Sequence, residues 1–523
     1  MPLDDAFALR PETRAFLDRE HKLFIDGAWV KGEGRAIPVE DPASETVIAT
    51  THAASAAQLD AAVAAARRAL KGVWGAMIPR DKAAILYRIG DLLAENAAWL
   101  GEIETLENGI PYAFSRKSPA SYCRDMFRYN AGWATKLTGE TIPVSINGRE
   151  HRDFFVATIK EPVGVVGCII PWNAPGPMMA LKIPPPLAAG CTMVMKPAEL
   201  TPLLAEAYAM LFEQAGLPAG VFNLVQGYGP EIGAAMAEHP GIDKISFTGS
   251  TAVGKAIVRA STGNLKKVAI ELGGKSPFVI FPDADLDQAI PAAAMACFFV
   301  SGQACMAGTR VFVHEAIHDR VVDGVVAHMK TLRIGPGLDP STMIAPVVSA
   351  AQKARIEGYV RLGQDEGATL IHGGRPLPGP GHYVEPALLI DVKPTMRIAR
   401  EEIFGPVQTV QMFRDDDDEG LAAAIDDTLY GLSGSVWTRD IRTAFRWAGR
   451  IDSGQVGINT HAAVSPETPF GGNRQSGWGR EFGRDGVEAY LKTKSLSFNL
   501  GEASKDNLYV RQMREATGPS AYR

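Results

Sequence analysis

Residues 298–310 read FFVSGQACMAGTR, with Cys305 set among Gly302, Ala304, Ala307 and Gly308. A thiol is the best side-chain nucleophile near neutral pH, and small neighbours let a substrate approach it. Free cysteines are more often buried filler, which is the reading for Cys123, Cys168, Cys191 and Cys297. Other stretches carry groups that thiol chemistry would need. In PWNAP (171–175) the prolines exclude helix and hold the Asn173 amide on a turn; it either bonds its own backbone or donates to an oxyanion. In ELGGKSP (271–277) Glu271 precedes two glycines, as a structural carboxylate or as a general base with a raised pKa. FTGSTAVG (247–254) ends a strand at Gly249 and opens a helix at Ser250, whose N-terminus offers N–H groups to a phosphate, although the spacing is not GxGxxG. In TMVMKPAELTP (192–202) Lys196 and Glu199 form either a solvated loop or a ribose site whose carboxylate repels a 2′-phosphate. EEIFGPV (401–407) and PFGGNRQSGWGRE (469–481) are, taken separately, loops.

These stretches need a scaffold. Residues 56–71 and 81–99 repeat helical apolar spacing. VGVVGCIIP (163–171) is a continuous apolar run, as in a strand buried on both faces. A helix over 201–216, a strand over 221–227, a helix over 230–240, a strand over 243–249, a helix over 250–261 and a strand over 266–272 follow. This alternation predicts an α/β fold with a parallel sheet, whose carboxyl strand ends bind nucleotides. A second α/β region runs from 275 to about 480, with a helix over 441–452 and a strand over 453–459. Two segments, 144–161 and 488–499, alternate apolar and polar residues like edge strands that pair with something, often a second subunit. The end of the chain, 503–523, reads as a surface tail.

The bulk properties narrow the class. With 523 residues the chain exceeds a single core. A net charge of −6 argues against nucleic acid or an anionic membrane as partner. The five cysteines are too sparse for a disulfide framework and none has zinc-ligand spacing, so a reducing, cytoplasmic compartment and no metal are expected. Two charge-free stretches, 162–181 and 288–309, contain prolines, glycines and polar residues that hydrocarbon would not tolerate, so no membrane span is expected.

Taken together, PWNAP, KPAELTP, FTGSTAVG, ELGGKSP, GQAC, EEIFGPV and PFGGNRQSG resemble the NAD(P)-dependent aldehyde dehydrogenase superfamily from about 20 to 500. The resemblance implies a Rossmann-type cofactor domain (20–143 and 162–274), an α/β catalytic domain (275–480) and a β-strand oligomerisation arm (144–161 and 485–502), assembled as a homodimer or homotetramer. It implies Cys305 as nucleophile, Glu271 as general base, Asn173 as half of the oxyanion hole and Lys182 as a lysine near the active site. It further implies NAD, in preference to NADP, held by Ile169, Trp172, Lys196, Glu199, Gly229, Gly249, Ser250, Val253, Leu272, Glu402 and Phe404.

Substrate-side positions depart from many relatives. Ala174 stands where an aromatic is common and Val464 where some relatives have phenylalanine. With Met126, Phe127, Met178, Met306 and Phe470 they are expected to wall a tunnel for a bulky apolar aldehyde, and the opening FLDREHKLFIDGAWV is similar to aromatic-aldehyde enzymes such as phenylacetaldehyde dehydrogenases. The alternatives are a semialdehyde enzyme, with Arg128 as the nearest cation, a coenzyme A-acylating enzyme, which retention of Glu271 disfavours, and a silent binding relative, which the retained nucleophile and base disfavour.

Overall fold

A computed structural model describes residues 8–145, 151–500 and 516. Apart from residue 516, the tail expected over 503–523 lies outside them, as do residues 146–150 of the expected arm. The described residues form two compact units, one of 8–135 and 163–490, the other of 136–145, 151–162 and 491–500.

Two sheets organise the larger unit. In the first, the strands Val165–Ile169, Thr192–Lys196 and Lys244–Thr248 are buried throughout, which selects β-rich apolar runs and a parallel sheet covered on both faces. The parallel strands stand in the order Lys267–Glu271, Lys244–Thr248, Val165–Ile169, Thr192–Lys196, Phe222–Leu224. The strand that comes first in sequence is central, so the order reverses between it and Lys244–Thr248. A crevice opens at the carboxyl ends of strands at such a reversal, and ligands bind there. PWNAP and FTGS leave the sheet from these two strands. Antiparallel pieces Leu23–Ile25, Ala28–Val30 and Gly477–Trp478 complete the eight strands.

The second sheet has seven strands, ordered Thr369–His372, Ala387–Ile390, Val407–Phe413, Arg310–His314, Pro277–Ile280, Ser433–Trp437 and Gln455–Ile458. Only the outermost pair, Thr369–His372 with Ala387–Ile390, is antiparallel. The region 275–480 does not close on itself: Gly477 returns to pair with Glu271, and Trp478 with Ile270, on the first sheet. The first charge-free stretch is a strand, a turn and the helix Pro175–Lys182; the second lies on the helix Leu286–Phe298, which contains Pro291, and the loop after it. No helix among the described residues is long and apolar enough to cross a membrane.

In the smaller unit, Phe154–Pro162 and Leu491–Asn499 pair with each other along their whole length, from Leu491↔Pro162 to Asn499↔Phe154. The expected start of the second arm segment, residue 485, needs correction. Residues 485–488 lie in the helix Gly483–Glu488, and buried Val487 and Tyr490 tie this stretch to the larger unit, so the strand begins at Leu491.

Candidate active site

The helix Leu286–Phe298 delivers the chain to a strained turn. Val300 and Ser301 have φ of 50° and 54°, left-handed values that cost side-chain-bearing residues on the order of 1–3 kcal/mol each. Ser301 Oγ donates to the Ala345 carbonyl at 2.6 Å, and Gln303 Oε1 accepts from Val348 N–H at 3.0 Å, so the turn is pinned on both sides. Gly302, at φ 71°, presses on the Gly405–Pro406 backbone, where any Cβ would collide. Cys305 follows. Burial raises all five thiols, Cys305 to about 12, with Glu402 and Glu271 adding to the effect. Acidity therefore does not distinguish Cys305. Accessibility does: the other four are buried and Cys305 is partly open. The adjacent backbone N–H dipoles of Cys305 and Met306 oppose part of that rise.

Asn173 ends the turn after the central strand and is buried. Its amide donates to the Gln303 carbonyl at 2.9 Å, two residues before Cys305, and its second N–H remains for another acceptor. The helix Pro175–Lys182 begins just beyond. Buried Glu104 accepts from Gly176 N–H at 3.0 Å, serving as the N-terminal cap that Ala174 cannot supply; burial pushes this carboxyl up to about 7. At the far end of the helix Lys182 meets Glu481 at 2.5 Å, both buried. Breaking one side of such a pair costs about 3–5 kcal/mol.

Glu271 ends the strand Lys267–Glu271. It is 5% exposed, and Oε2 has no hydrogen-bond partner among the described residues. Burial holds its carboxyl well above the usual range, Glu481 pushes it further, and Lys182 and Arg480 oppose both. Next along the chain, the Gly274 N–H donates to Glu402 Oε1 at 3.0 Å, and a Cβ on Gly274 would collide with the Cys305 carbonyl. The Gly-Gly pair thus lets Glu271, Cys305 and Glu402 crowd one region. Burial lifts Glu402 to about 6.

The switch-point crevice carries a second set of groups. Ser250 caps the eleven-residue helix Thr251–Ser261 by accepting from Val253 N–H at 3.4 Å, leaving earlier N–H groups and the positive dipole end facing outward. Val253 is 48% exposed, an apolar side chain beside that end, and a Cβ on Gly229 would meet nothing within 4 Å. Glu199 is partly exposed. Trp172 and Phe404 pack edge to face at 5.3 Å, both half-buried. Phe404 has φ 62°, and its carbonyl is held by Gln352 at 2.7 Å, while Arg355 donates to the Glu402 carbonyl at 2.6 Å. A helix dipole for a pyrophosphate, a carboxylate for a ribose and open apolar surface for flat rings fit a dinucleotide.

The sequence profile of the aldehyde dehydrogenase family matches residues 29–496. This chain belongs to the aldehyde dehydrogenase family. The chain is 42% identical over 479 residues to an aldehyde dehydrogenase of Enchytraeus buchholzi, covering 91% of this chain and 95% of that one. It is 40% identical over 480 residues to the cytosolic 10-formyltetrahydrofolate dehydrogenase of Xenopus tropicalis, 91% of this chain but 53% of the relative, so it spans about half of that longer protein. The NAD+ complex of a Bacillus cereus aldehyde dehydrogenase superposes with a TM-score of 0.92 at 42% identity, over 95% of this chain and all of that one.

Within this aldehyde dehydrogenase several expected positions need correction. Met126 and Phe127 are fully buried on the helix Arg124–Trp133, Phe127 against Phe212, so neither is open to a substrate. The same segment instead sends Tyr122, from a π-helical turn, to within the electrostatic reach of Cys305 and Glu481. A π turn is a common mark of functional sites and has no apolar periodicity that would reveal it in sequence. Gly302 and Gly308 do not clear space for substrate; they admit protein backbone and the His461 ring. Lys196 is buried and donates to Pro197 and Gly227 carbonyls at 2.8 and 2.7 Å, with Glu199 at 3.5 Å, so it holds the loop that presents Glu199. Arg128 is paired with Asp91 at 2.7 Å. Ile169 and Leu272 are buried, whereas Ala174, Met178, Met306 and Val464 are partly exposed. Phe470 is buried and pairs with Glu481 through two backbone hydrogen bonds. Glu481 carries one signal in the sequence, the Arg-Glu that closes PFGGNRQSGWGRE.

Proposed function

We propose that this chain oxidises a bulky apolar or aromatic aldehyde to its carboxylic acid with NAD, through a covalent intermediate on Cys305. The observation that carries the reading is that the one accessible cysteine lies on a pinned turn beside Asn173, Glu271 and Glu402. The Cys305 thiol gives up its proton to solvent, and the thiolate sulfur bonds to the carbonyl carbon. The tetrahedral oxyanion takes the free N–H of Asn173 and the Cys305 backbone N–H. NAD, when bound, supplies the positively charged ring that accepts hydride from that carbon. A thioester then remains on Cys305. Glu271 takes a proton from water, the water oxygen bonds to the acyl carbon, and the C–S bond breaks to release the acid and restore the thiol. Hydrolysis by this base leaves no need for coenzyme A as acceptor.

Glu199, Ser250, Gly249, Trp172, Val253, Gly229, Ile169, Leu272, Glu402 and Phe404 are the residues that would hold NAD, with Lys196 positioning Glu199. A carboxylate at the ribose favours NAD over NADP because an added 2′-phosphate would face like charge. The first sheet would form the cofactor domain and the second the catalytic domain. The paired strands 154–162 and 491–499 would act as the arm of a homodimer or homotetramer, and the compartment would be cytoplasmic.

Two features support the substrate class. Ala174, partly exposed, puts only a methyl group next to Asn173. Partly exposed Tyr122 packs edge to face on buried Phe482 at 6.5 Å, and Phe482 on buried Phe470 at 6.0 Å, so Tyr122 is the ring of this cluster left open. The partly exposed Met178, Met306 and Val464 add apolar wall. A panel of aldehydes assayed for NADH tests this: kcat/KM for phenylacetaldehyde should exceed that for succinic semialdehyde, and Tyr122→Ala should cut the former roughly tenfold while leaving the KM for NAD unchanged. A preference for the semialdehyde would reject the assignment. Asn173→Ala should lower kcat by about 10²–10³ if its amide serves the oxyanion, and single-turnover NADH formation measures this.

A further inference from the structure

His461 lies in the segment THAAVSPET, beyond the strand Gln455–Ile458. Asn459, at φ 51°, anchors that segment by exchanging two hydrogen bonds with the Thr438 backbone, 3.0 and 2.9 Å. The His461 ring then reaches back over the sheet. Nε2 lies 2.8 Å from the Met306 carbonyl, and Nδ1 lies 3.0 Å from Ser435 Oγ. A carbonyl can only accept, so Nε2 carries the proton. In a neutral ring Nδ1 must then accept, so Ser435 donates its hydroxyl proton to it. Ser435 Oγ in turn accepts from Trp437 Nε1 at 3.3 Å. Every donor in the series Trp437, Ser435, His461, Met306 thus points the same way, from the sheet core to the residue after the nucleophile. Neutrality is consistent with burial, which lowers the His461 pKa. The ring also rests on Phe278 at 5.6 Å, and Phe278 stacks on Trp437 at 5.1 Å. Gly308 leaves the clearance: a Cβ there would stand 3.3 Å from the imidazole.

We infer that His461 is a positioning residue for Cys305: by holding the Met306 carbonyl in a single hydrogen-bonded register, it fixes the backbone at residue 306 and with it the orientation of the adjoining Cys305 thiol. The inference rests on reading Cys305 as the nucleophile. The physical link is short. Met306 directly follows Cys305, and a fixed Met306 carbonyl limits the two soft dihedrals of residue 306 that set how the Cys305–Met306 peptide lies beside the thiol. Such a bond contributes through alignment, so its loss weakens thiolate formation without touching the cofactor crevice.

The test compares His461→Leu, His461→Gln and Ser435→Ala with the unaltered enzyme. Iodoacetamide labelling of Cys305 is followed from about pH 6 to pH 10, alongside kcat, KM for aldehyde and NAD, and thermal melting. His461→Leu should label Cys305 roughly tenfold more slowly at neutral pH and lose a similar factor in kcat/KM, with the KM for NAD unchanged. The Gln side chain can still donate to Met306 and accept from Ser435, so His461→Gln should recover most of the loss. Ser435→Ala, which removes only the upstream donor, should fall between. A wild-type labelling profile in His461→Leu overturns the inference. So does a loss that Gln fails to recover while both variants melt lower together, because that is a packing role. If the nucleophile reading is instead at fault, Cys305→Ala will retain turnover, while the labelling profiles still report whether His461 positions the thiol.

Discussion

Replacing Cys305 with alanine will abolish NADH formation from every aldehyde while NAD binding, measured by cofactor titration, survives. The expected loss is at least about 10⁴-fold, because covalent catalysis is removed outright rather than misaligned. Cofactor binding should persist because the switch-point crevice is built from the strand ends at 169–173 and 248–250, which do not depend on the thiol. Labelling provides a second reading. Cys123, Cys168, Cys191 and Cys297 are buried, so iodoacetamide at neutral pH should modify Cys305 alone and inactivate in proportion. Turnover at the unaltered rate in the alanine variant would remove Cys305 from the mechanism.

Glu271→Gln will release about one equivalent of NADH per site in a burst and then nearly stop, as the thioester accumulates without a base to activate water. Glutamine keeps the shape and ends the proton acceptance. The sign of the pH effect follows from the raised carboxyl. Below its folded-state pKa Glu271 is protonated and cannot accept; above it the carboxylate is available. Steady-state turnover should therefore climb as pH rises through and beyond the ordinary carboxylate range, and this limb should vanish in the burst-limited variant. The same shift has a stability consequence. Glu271 favours folding most below the carboxylate's unfolded-state pKa, and that contribution is lost as pH rises towards the folded-state value. Quenched-flow measurement of NADH against time decides the point; linear progress at the unaltered rate would exclude Glu271 as base.

Much of the site was legible because its groups lie at the ends of strongly patterned strands. The buried runs 165–169, 244–248 and 267–271 announce themselves as apolar, and Asn173, Gly249 and Glu271 follow each within a few residues. Met126 and Phe127 were misjudged because apolar type on a helix does not reveal which face meets the core. Tyr122 escaped because a π turn shifts the facing side chain out of helical period. The glycines around Cys305 carried a true signal, close approach, but to the wrong neighbour: Gly302 admits Gly405 and Pro406.

By itself the amino-acid sequence determined the parallel α/β architecture and singled out the candidate thiol, acid and amide, because local pattern and side-chain chemistry are properties of short stretches. Only the tertiary structure decided what those groups meet. Glu481 reaches Lys182 across 299 positions and His461 reaches Met306 across 155, and Gly477 returns to Glu271 to join the first sheet. Such contacts depend on how the sheets and their loops pack, and no periodicity along the chain records that distance.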